Sequence, residues 1–275
     1  MTPNVTEAPF NRFSRTLPQL TSGSLEVRLA QSEEDVKAAQ LLRYEVFYEE
    51  CGAQPNETIA LLKRDVERID DFCDVLLVID HAHNKIVGTY RFMLRDAAHH
   101  YGGYYTASEF DIQKLVDVPG QIMELGRSCV DKNYRTKPTM QLLWKAIGAY
   151  IQLNQVELCF GCGSFIGTDV SLYSQALSYL YHYHLAPPEL RTRALPSHYQ
   201  EMSLIPLSKI DQKIAMRQMP PLIKAYLRVG GFVGEGAFVD HQFNTIDVCI
   251  IVKREMVTER YSQKYTNPSL LDEGV

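Results

Sequence analysis

The sequence predicts an α/β fold, a mixed sheet flanked by helices, on three observations. Leu25, Val27 and Leu29 alternate with Glu26 and Arg28, as in a half-buried strand, and helical spacing follows over 33–50. Two β-rich runs, 75–80 and 86–95, are separated only by His-Ala-His-Asn-Lys, a hairpin-length polar connection. Strand and helix patterns then alternate from 121 to 183, which calls for a sheet covered by helices.

The elements read in order as follows. Residues 1–23 are polar with spaced Pro and Ser and read as a loose arm. The helix over 33–50 carries Val36, Ala39, Leu42, Val46 and Phe47 on one stripe, with Ser32 as N-cap. The next strand is 121–130; Thr136 then caps a helix with Pro138 in its first turn and Met140, Leu143, Ile147, Tyr150 and Ile151 inward. A buried strand at 156–162 and a helix at about 170–183 complete a core of 24–183. Residues 184–219, rich in Pro, His and charge, read as an insertion. A short helix at 220–231 has Pro at its start and Gly at its end, and a last strand is 243–252. The expected organisation is one domain over 24–261, with 184–261 as insertion and C-terminal extension, and a polar tail at 262–275.

Composition narrows the function classes. The 275 residues carry 28 basic and 33 acidic side chains, a net charge of −5, which argues against a general nucleic-acid binder. The longest apolar runs, Val75 to Ile79 and Val248 to Val252, are five residues each, far below the ~20 that cross a bilayer. The N-terminus has no apolar h-region, so no secretory signal is read, and the six scattered cysteines suit reduced thiols in the cytoplasm.

Several motif searches return nothing. There is no G-x-x-x-x-G-K-[ST] loop, no G-x-S-x-G elbow and no His with Asp five residues later. Cys159 and Cys162 form a lone C-x-x-C, read as packed thiols because zinc needs a second pair. No metal site is expected. Gly161, Gly163 and Gly167 suggest a turn where backbone approaches something closely. His99 and His100, among tyrosines, read as a surface loop.

The carboxylates carry more. Asp65, Asp70, Asp71 and Asp74 cluster before the strand at Val75, either as a solvated acidic loop or as a cation site. Glu124 sits mid-strand between Met123 and Leu125, where a carboxylate must have a partner or a purpose. Arg127 is three residues on, beside Gly126, where a bulge would re-aim side chains. An internal ion pair and a general base beside a cleft both remain open for Glu124.

Ten motifs occur in a specific order: LLRYEVFYEE (41–50), DDF-x-D (70–74), IVGTYR (86–91), SEFD (108–111), MELGRSCV (123–130), LLWKAI (142–147), GCGSFIGTD (161–169), LSYLYHYHLAP (177–187), PPLIKAYLRVGG (220–231) and FNTIDV (243–248). Together they resemble the ornithine–acyl carrier protein N-acyltransferases of bacterial ornithine lipid synthesis, over about 25–261. That resemblance implies the GNAT superfamily, hence a GNAT-like twisted mixed sheet with a C-terminal extension. The first half is also similar to acyl-homoserine lactone synthases through Arg43, Phe47, Asp71, Asp74, Arg91, Phe110, Glu124 and Arg127. Two departures speak against a lactone synthase: the only Trp is Trp144, in the central helix, and position 126 is Gly.

The resemblance implies transfer of a 3-hydroxy fatty acyl group from acyl carrier protein to the α-amine of ornithine. The donor arm is 4′-phosphopantetheine, with no permanently bound cofactor. Typical GNATs hold the coenzyme A pyrophosphate with [QR]-x-x-G-x-[GA], whereas this chain has Arg135-Thr-Lys-Pro138-Thr-Met140, losing both small positions. A carrier protein presents a single phosphate, and Lys132, Arg135 and Lys137 form a basic patch to dock its acidic surface. Glu124 and Arg127 are the expected catalytic pair, with Glu124 as base or as an anchor of the N-terminal region. Arg43, Asp71, Asp74, Arg91 and Asp169 are expected to bind the acceptor, Arg91 or Arg127 clamping its carboxylate and Asp71, Asp74 or Asp169 pairing with its side-chain ammonium. Phe110, Ser128, Cys129 and Phe165 are expected at the acyl thioester, with Phe110, Phe160 and Phe165 lining the acyl slot. The helix with Lys224 and Arg228 reads as amphipathic and packed on the sheet, with peripheral contact to an anionic membrane as the alternative. The same chemistry on glycine or lysine, and a non-catalytic module that binds carrier protein or lipid, are the competing functions.

Overall fold

The computed structural model describes residues 11–257. The chain opens with the hairpin β1 (Leu20–Ser22) and β2 (Leu25–Leu29), then α1 (Glu33–Tyr44) and the short α2 (Glu57–Leu62). The hairpin β3 (Asp74–Asp80) and β4 (Lys85–Leu94) follows, then α3 (Arg95–Tyr101), the two-residue β5 (Phe110–Asp111) and α4 (Gln113–Val116). The centre is β6 (Gln121–Val130), α5 (Lys137–Leu153), β7 (Val156–Ile166) and α6 (Ser174–His184). Beyond it lie β8 (Arg193–Ala194), β9 (Tyr199–Gln200), α7 (Gln212–Gln218), α8 (Pro221–Arg228), β10 (Phe232–Val233), β11 (Ala237–Asp240) and β12 (Thr245–Lys253).

One sheet runs β1-β2-β3-β4-β6-β7-β12-β11-β9, with β10 beside β12. Its neighbours are antiparallel except β6 and β7, which are parallel and need α5 as crossover. The sheet is buried on both faces. Leu76, Val78, Tyr90, Phe92, Met123 and Leu125 meet α5, α6 and α8 on one face. Alternate residues face the other way: Val75 and Leu77 toward α1, Met93, Ile122 and Phe160 toward α3, α4 and the 104–115 segment. Period two along each strand makes this sorting.

Local chemistry sets the boundaries. Ser32 caps α1 by accepting from the Asp35 N–H, as expected. Asn84, at φ +47, closes the β3–β4 hairpin. Thr136 occupies the α5 N-cap position in extended backbone, but its hydroxyl meets the Thr139 hydroxyl rather than a backbone N–H. Three readings of the chain need correction. The expected loose arm is not loose where described: Leu20–Ser22 pair with β2, and buried Arg12 bonds to Asp70 and Asp71. The expected helix over 33–50 changes to a π-helical turn at Glu45–Glu50. His99 and His100 close α3 rather than sit in a loop. The start of the expected arm, before Asn11, and the 262–275 tail lie outside the described residues.

Candidate active site

The parallel pairing of β6 with β7 runs only from Gln121 to Glu124, where Glu124 lies opposite Phe160. No ladder pair joins the two strands beyond that point among the described residues, although both continue. β6 also carries a bulge: Thr89 pairs with Cys129 and Arg91 with Gly126, so Arg127 and Ser128 stand opposite Tyr90 alone. Arg127 takes the left-handed conformation, φ +52, which re-aims its side chain. The strands therefore open into a gap at the centre of the sheet. Gly161 marks its closed end, since a Cβ there would lie 2.1 Å from the Leu125 carbonyl oxygen. Tyr226 of α8 and Tyr90 of β4 join hydroxyls at 2.6 Å beside it.

Behind the gap, on the α1 face, lies a buried ion network. Arg43 reaches Asp65 at 2.8 Å and Asp70 at 2.7 and 3.0 Å. Arg91 binds Asp70 at 3.0 Å and Glu67 at 2.6 Å. Arg127 binds Glu67 at 2.8 and 2.9 Å and lies 3.3 Å from Asp65. Gln40 and Tyr48 donate to Asp70 and Asp65. Three guanidinium charges meet three carboxylates, so the network is neutral, which its burial requires. Burial works against the Glu67 carboxylate, but Arg127 and Arg91 outweigh it and hold its pKa at about 2. Arg43 and Arg91 likewise outweigh burial at Asp70 and hold it well below the usual carboxylate range.

This arrangement answers the question left by the aspartates. Asp65 and Asp70 are neither solvated nor a metal site; their cations are arginines. Arg43, Arg91 and Arg127 are thus each engaged by acids, although one terminal nitrogen of Arg127 makes no hydrogen bond among the described residues. Arg127 is further sandwiched between Tyr105 and Phe243, its guanidinium carbon 4.6 and 4.3 Å from the ring centroids.

Glu124 does not pair with Arg127. Its Oε1 accepts from the Thr106 N–H and hydroxyl, both at 2.6 Å, and its Oε2 from the Tyr105 N–H at 3.0 Å. The buried carboxylate thus ties the turn at Tyr105–Ser108 to the edge of the gap. Thr106 in turn leads to Cys162, 3.9 Å away.

A second group of acids, missed by the sequence reading, lies on the same face. Glu109, Asp240 and Asp247 place carboxylate oxygens within 4.8 Å of one another. Burial and the neighbouring Asp247 push the Glu109 carboxyl up to about 8. Burial also raises Asp247, to about 6, although Ser164 hydrogen-bonds it. The available signal was the one used for Glu124: Asp247 is an acid mid-strand between Ile246 and Val248.

The match to known proteins joins this geometry to a family. An acetyltransferase (GNAT) domain model matches residues 42–145, which run from the last turn of α1 to the middle of α5 and include both sides of the bulge. An L-ornithine N(alpha)-acyltransferase of Brucella abortus is 44% identical over 250 residues, covering 88% of this chain and 89% of that protein. One of Rhodobacter capsulatus is 39% identical over 248 residues, covering 88% and 95%. The chain belongs to the L-ornithine N(alpha)-acyltransferase family. Among solved structures, FeeM, an N-acyl amino acid synthase from uncultured soil microbes, superposes with a TM-score of 0.48 at 9% identity, covering 85% of this chain and 94% of that one.

In this family member the remaining expected site residues are scattered. Asp71 is exposed and pairs with Arg12. Asp74 is buried against Tyr150 and Arg15, with burial raising its pKa. Asp169 only caps the turn at Val170–Tyr173. Cys129 packs with Leu42 and Val46 toward α1, away from the gap, while Ser128 hydrogen-bonds Tyr90. Phe110 and Phe160 share one face of the sheet, but Phe165 lies on the other, so these three do not line one slot. Cys159 and Cys162 likewise point to opposite faces as packed thiols.

An apolar cavity of about 200 Å³ exists instead on the α5 side, lined by Leu125, Trp144, Ile147, Ile151, Tyr226 and Val252. Leu125 and Tyr226 also border the gap, so cavity and gap adjoin. In the basic loop, Lys132 and Lys137 are exposed, but Arg135 is bidentate to Glu50 and donates to the Val130 carbonyl. The apolar residues of α8 pack on the sheet, as in the first of the two readings: Ile223 is buried, and Leu222 and Leu227 are half-buried against the core. Among the described residues no helix is long and apolar enough to cross a membrane.

Proposed function

We propose that the protein moves a 3-hydroxy fatty acyl group from acyl carrier protein to the α-amine of ornithine, giving N-acylornithine, a lyso-ornithine lipid. The observation that carries this is the gap beyond the Glu124–Phe160 pair, in a chain whose relatives are named for ornithine N(alpha)-acylation over nearly their whole length. The amine nitrogen attacks the thioester carbon, the C–N bond forms, the C–S bond breaks, and the amine proton ends on the carrier thiol. The 4′-phosphopantetheine arm would enter the gap, and its acyl tail would occupy the adjoining apolar cavity. Backbone N–H groups of β6 past Glu124, free of the β7 ladder, are suited to the developing oxyanion. Exposed Lys132 and Lys137 suit docking of an acidic carrier at the rim, while Arg135 holds the loop through Glu50.

Glu124 acts here as a positioning residue, fixing the Tyr105–Ser108 turn beside the gap. Arg127 fixes the bulge through Glu67 and the two aromatic rings. Mass spectrometry of purified protein with 3-hydroxyacyl carrier protein and ornithine tests the reading, with glycine and lysine in parallel. N-acylornithine as the favoured product is the expected result. A product only with another amino acid moves the acceptor. No product with any, alongside intact carrier binding, would leave a binding module.

A further inference from the structure

Glu109 and Asp247 are each only 3% exposed, yet Glu109 Oε2 and Asp247 Oδ1 accept no hydrogen bond among the described residues. Buried carboxylate oxygens without donors are costly and call for a partner. The third acid, Asp240, is half-buried on β11 and gives the group an opening toward solvent. Arg127, whose charge acts on Asp247, is already held by Glu67 and Asp65. Thr245 and Ser164 donate to Asp247, and Tyr105 and Cys162 to Glu109, so the site is an acidic recess in which one oxygen of each buried acid still lacks a donor.

Its position is specific. Asp247 lies on β12 opposite Ser164, and Cys162 is two residues beyond Phe160 on the same face of β7. Two strand residues span roughly 7 Å and four roughly 13 Å, so the recess begins about 7 Å along β7 from the last β6–β7 pair, where Cys162 meets Glu109, and runs on to Asp247 opposite Ser164. The α-amine of a diamino acid such as ornithine is separated from its side-chain amine by the α-carbon and three methylenes, a reach comparable with the near end of that span, on the Glu109 side. An alkylammonium brings three N–H donors and one positive charge, which is what these carboxylates lack.

We propose that Glu109 and Asp247, with Asp240 at the mouth, hold the side-chain ammonium of the acceptor and so select a diamino acid over acceptors with a single amine. The inference rests on the reading of the chain as an ornithine N-acyltransferase. The two fail differently. The acyl tail lies on the α5 face and the acids on the opposite one, so donor and acceptor reach the gap from opposite sides.

The test compares kcat/KM for ornithine and for norvaline, which has the same carbon chain without the second amine. It uses the full-length protein, Glu109→Gln, Asp247→Asn and the milder Asp240→Asn, each with thermal unfolding. In the unmodified protein ornithine should exceed norvaline. In the two buried variants that ratio should fall roughly 10- to 100-fold, the worth of a charged hydrogen bond, through KM for ornithine. Tm should hold or rise, because a buried carboxyl that is costly to ionise is replaced by a neutral amide. Asp240→Asn should reduce the ratio less. An unchanged ratio overturns the proposal, as does a parallel loss on both acceptors. Activity abolished by a chelator and restored by a divalent cation overturns it in favour of a metal site. Unmodified protein that acylates only a monoamine acceptor overturns the functional reading and the inference together, whereas a strong preference for ornithine that survives in all three variants overturns the inference alone.

Discussion

Glu124 Oε1 takes both hydrogen bonds that Thr106 can give, from its backbone N–H and its hydroxyl, each at 2.6 Å. With Tyr105 N–H on the other oxygen, the carboxylate has three donors and is a structural clasp before it is anything else. Glu124→Gln turns one oxygen into an NH2 that faces the Tyr105 N–H. The expected cost is about 1–3 kcal/mol of stability, with activity falling alongside as the turn loosens. Thermal unfolding and kcat are measured on the same preparations. A kcat loss of two orders of magnitude with Tm unmoved would make Glu124 the base instead.

The Arg43 guanidinium is fully buried between Asp65 and Asp70. Arg43→Met leaves two buried carboxylates short of their cation and should destabilise by about 3–5 kcal/mol. Arg43→Lys should recover little of this, since one ammonium cannot reproduce the fork that meets both acids. Chemical denaturation of the three proteins measures it; equal stability of the Lys and Arg proteins would refute the geometric account.

Much of the fold was legible in the sequence because it is written locally. The alternation at 25–29, the Asn84 turn and the Ser32 cap each lie within a few residues of what they determine. The site was less legible because its partners are distant: Arg43 finds Asp65 22 residues on, and Arg127 reaches back 60 residues to Glu67. The sequence singled out these arginines but not their partners, since composition does not show which acids fold against them. Phe160 and Phe165 were placed in one slot against the strand period itself, since an odd separation puts two residues on opposite faces. Glu109 was within a recognised motif, yet only the fold shows that it meets Asp247.

Stability should depend on pH in two opposed windows. Glu67 and Asp70 have depressed carboxyls when folded, so their contribution is present above the ordinary carboxylate range and is lost as pH falls toward about 2. Glu109 and Asp247 are raised, to about 8 and about 6, so the folded state holds more protons than the unfolded one in between. Their contribution is complete below the ordinary carboxylate range and is lost as pH rises to about 8. Thermal unfolding across acidic to mildly alkaline pH should therefore show a maximum, with its alkaline side flattened in Glu109→Gln. An alkaline side unchanged in that variant would contradict the raised carboxyl.

Gly161 sits where β6 and β7 part, and a Cβ would lie 2.1 Å from the Leu125 carbonyl oxygen. Backbone cannot yield as a flexible side chain does. Gly161→Ala should cost more than about 3 kcal/mol or fail to fold. Gly167→Ala serves as comparison: open space surrounds that position, and only its φ of +91 is strained. It should cost about 1–2 kcal/mol. Soluble yield and unfolding midpoint measure both, and similar values for the two would show that the strands tolerate a wider approach.

The apolar cavity makes acyl length a matter of space. Gly148 lines it from α5, together with Val156 and Val252. Gly148→Leu should add bulk to a space of about 200 Å³ while improving helix propensity by about 0.8 kcal/mol. Overpacking and propensity thus oppose each other, and the fold should survive with little net change in Tm. The acyl-chain profile should not survive. With a ladder of 3-hydroxyacyl carrier proteins, the preferred length should shorten, and kcat/KM for the longest donor should drop at least ten-fold, the effect of about 1.4 kcal/mol. The shortest donor should be little affected, because it does not reach α5. A profile unmoved by the Gly148→Leu substitution would place the tail elsewhere, most directly on the opposite face beside Phe110 and Phe160, and would separate the acyl seat from the cavity altogether.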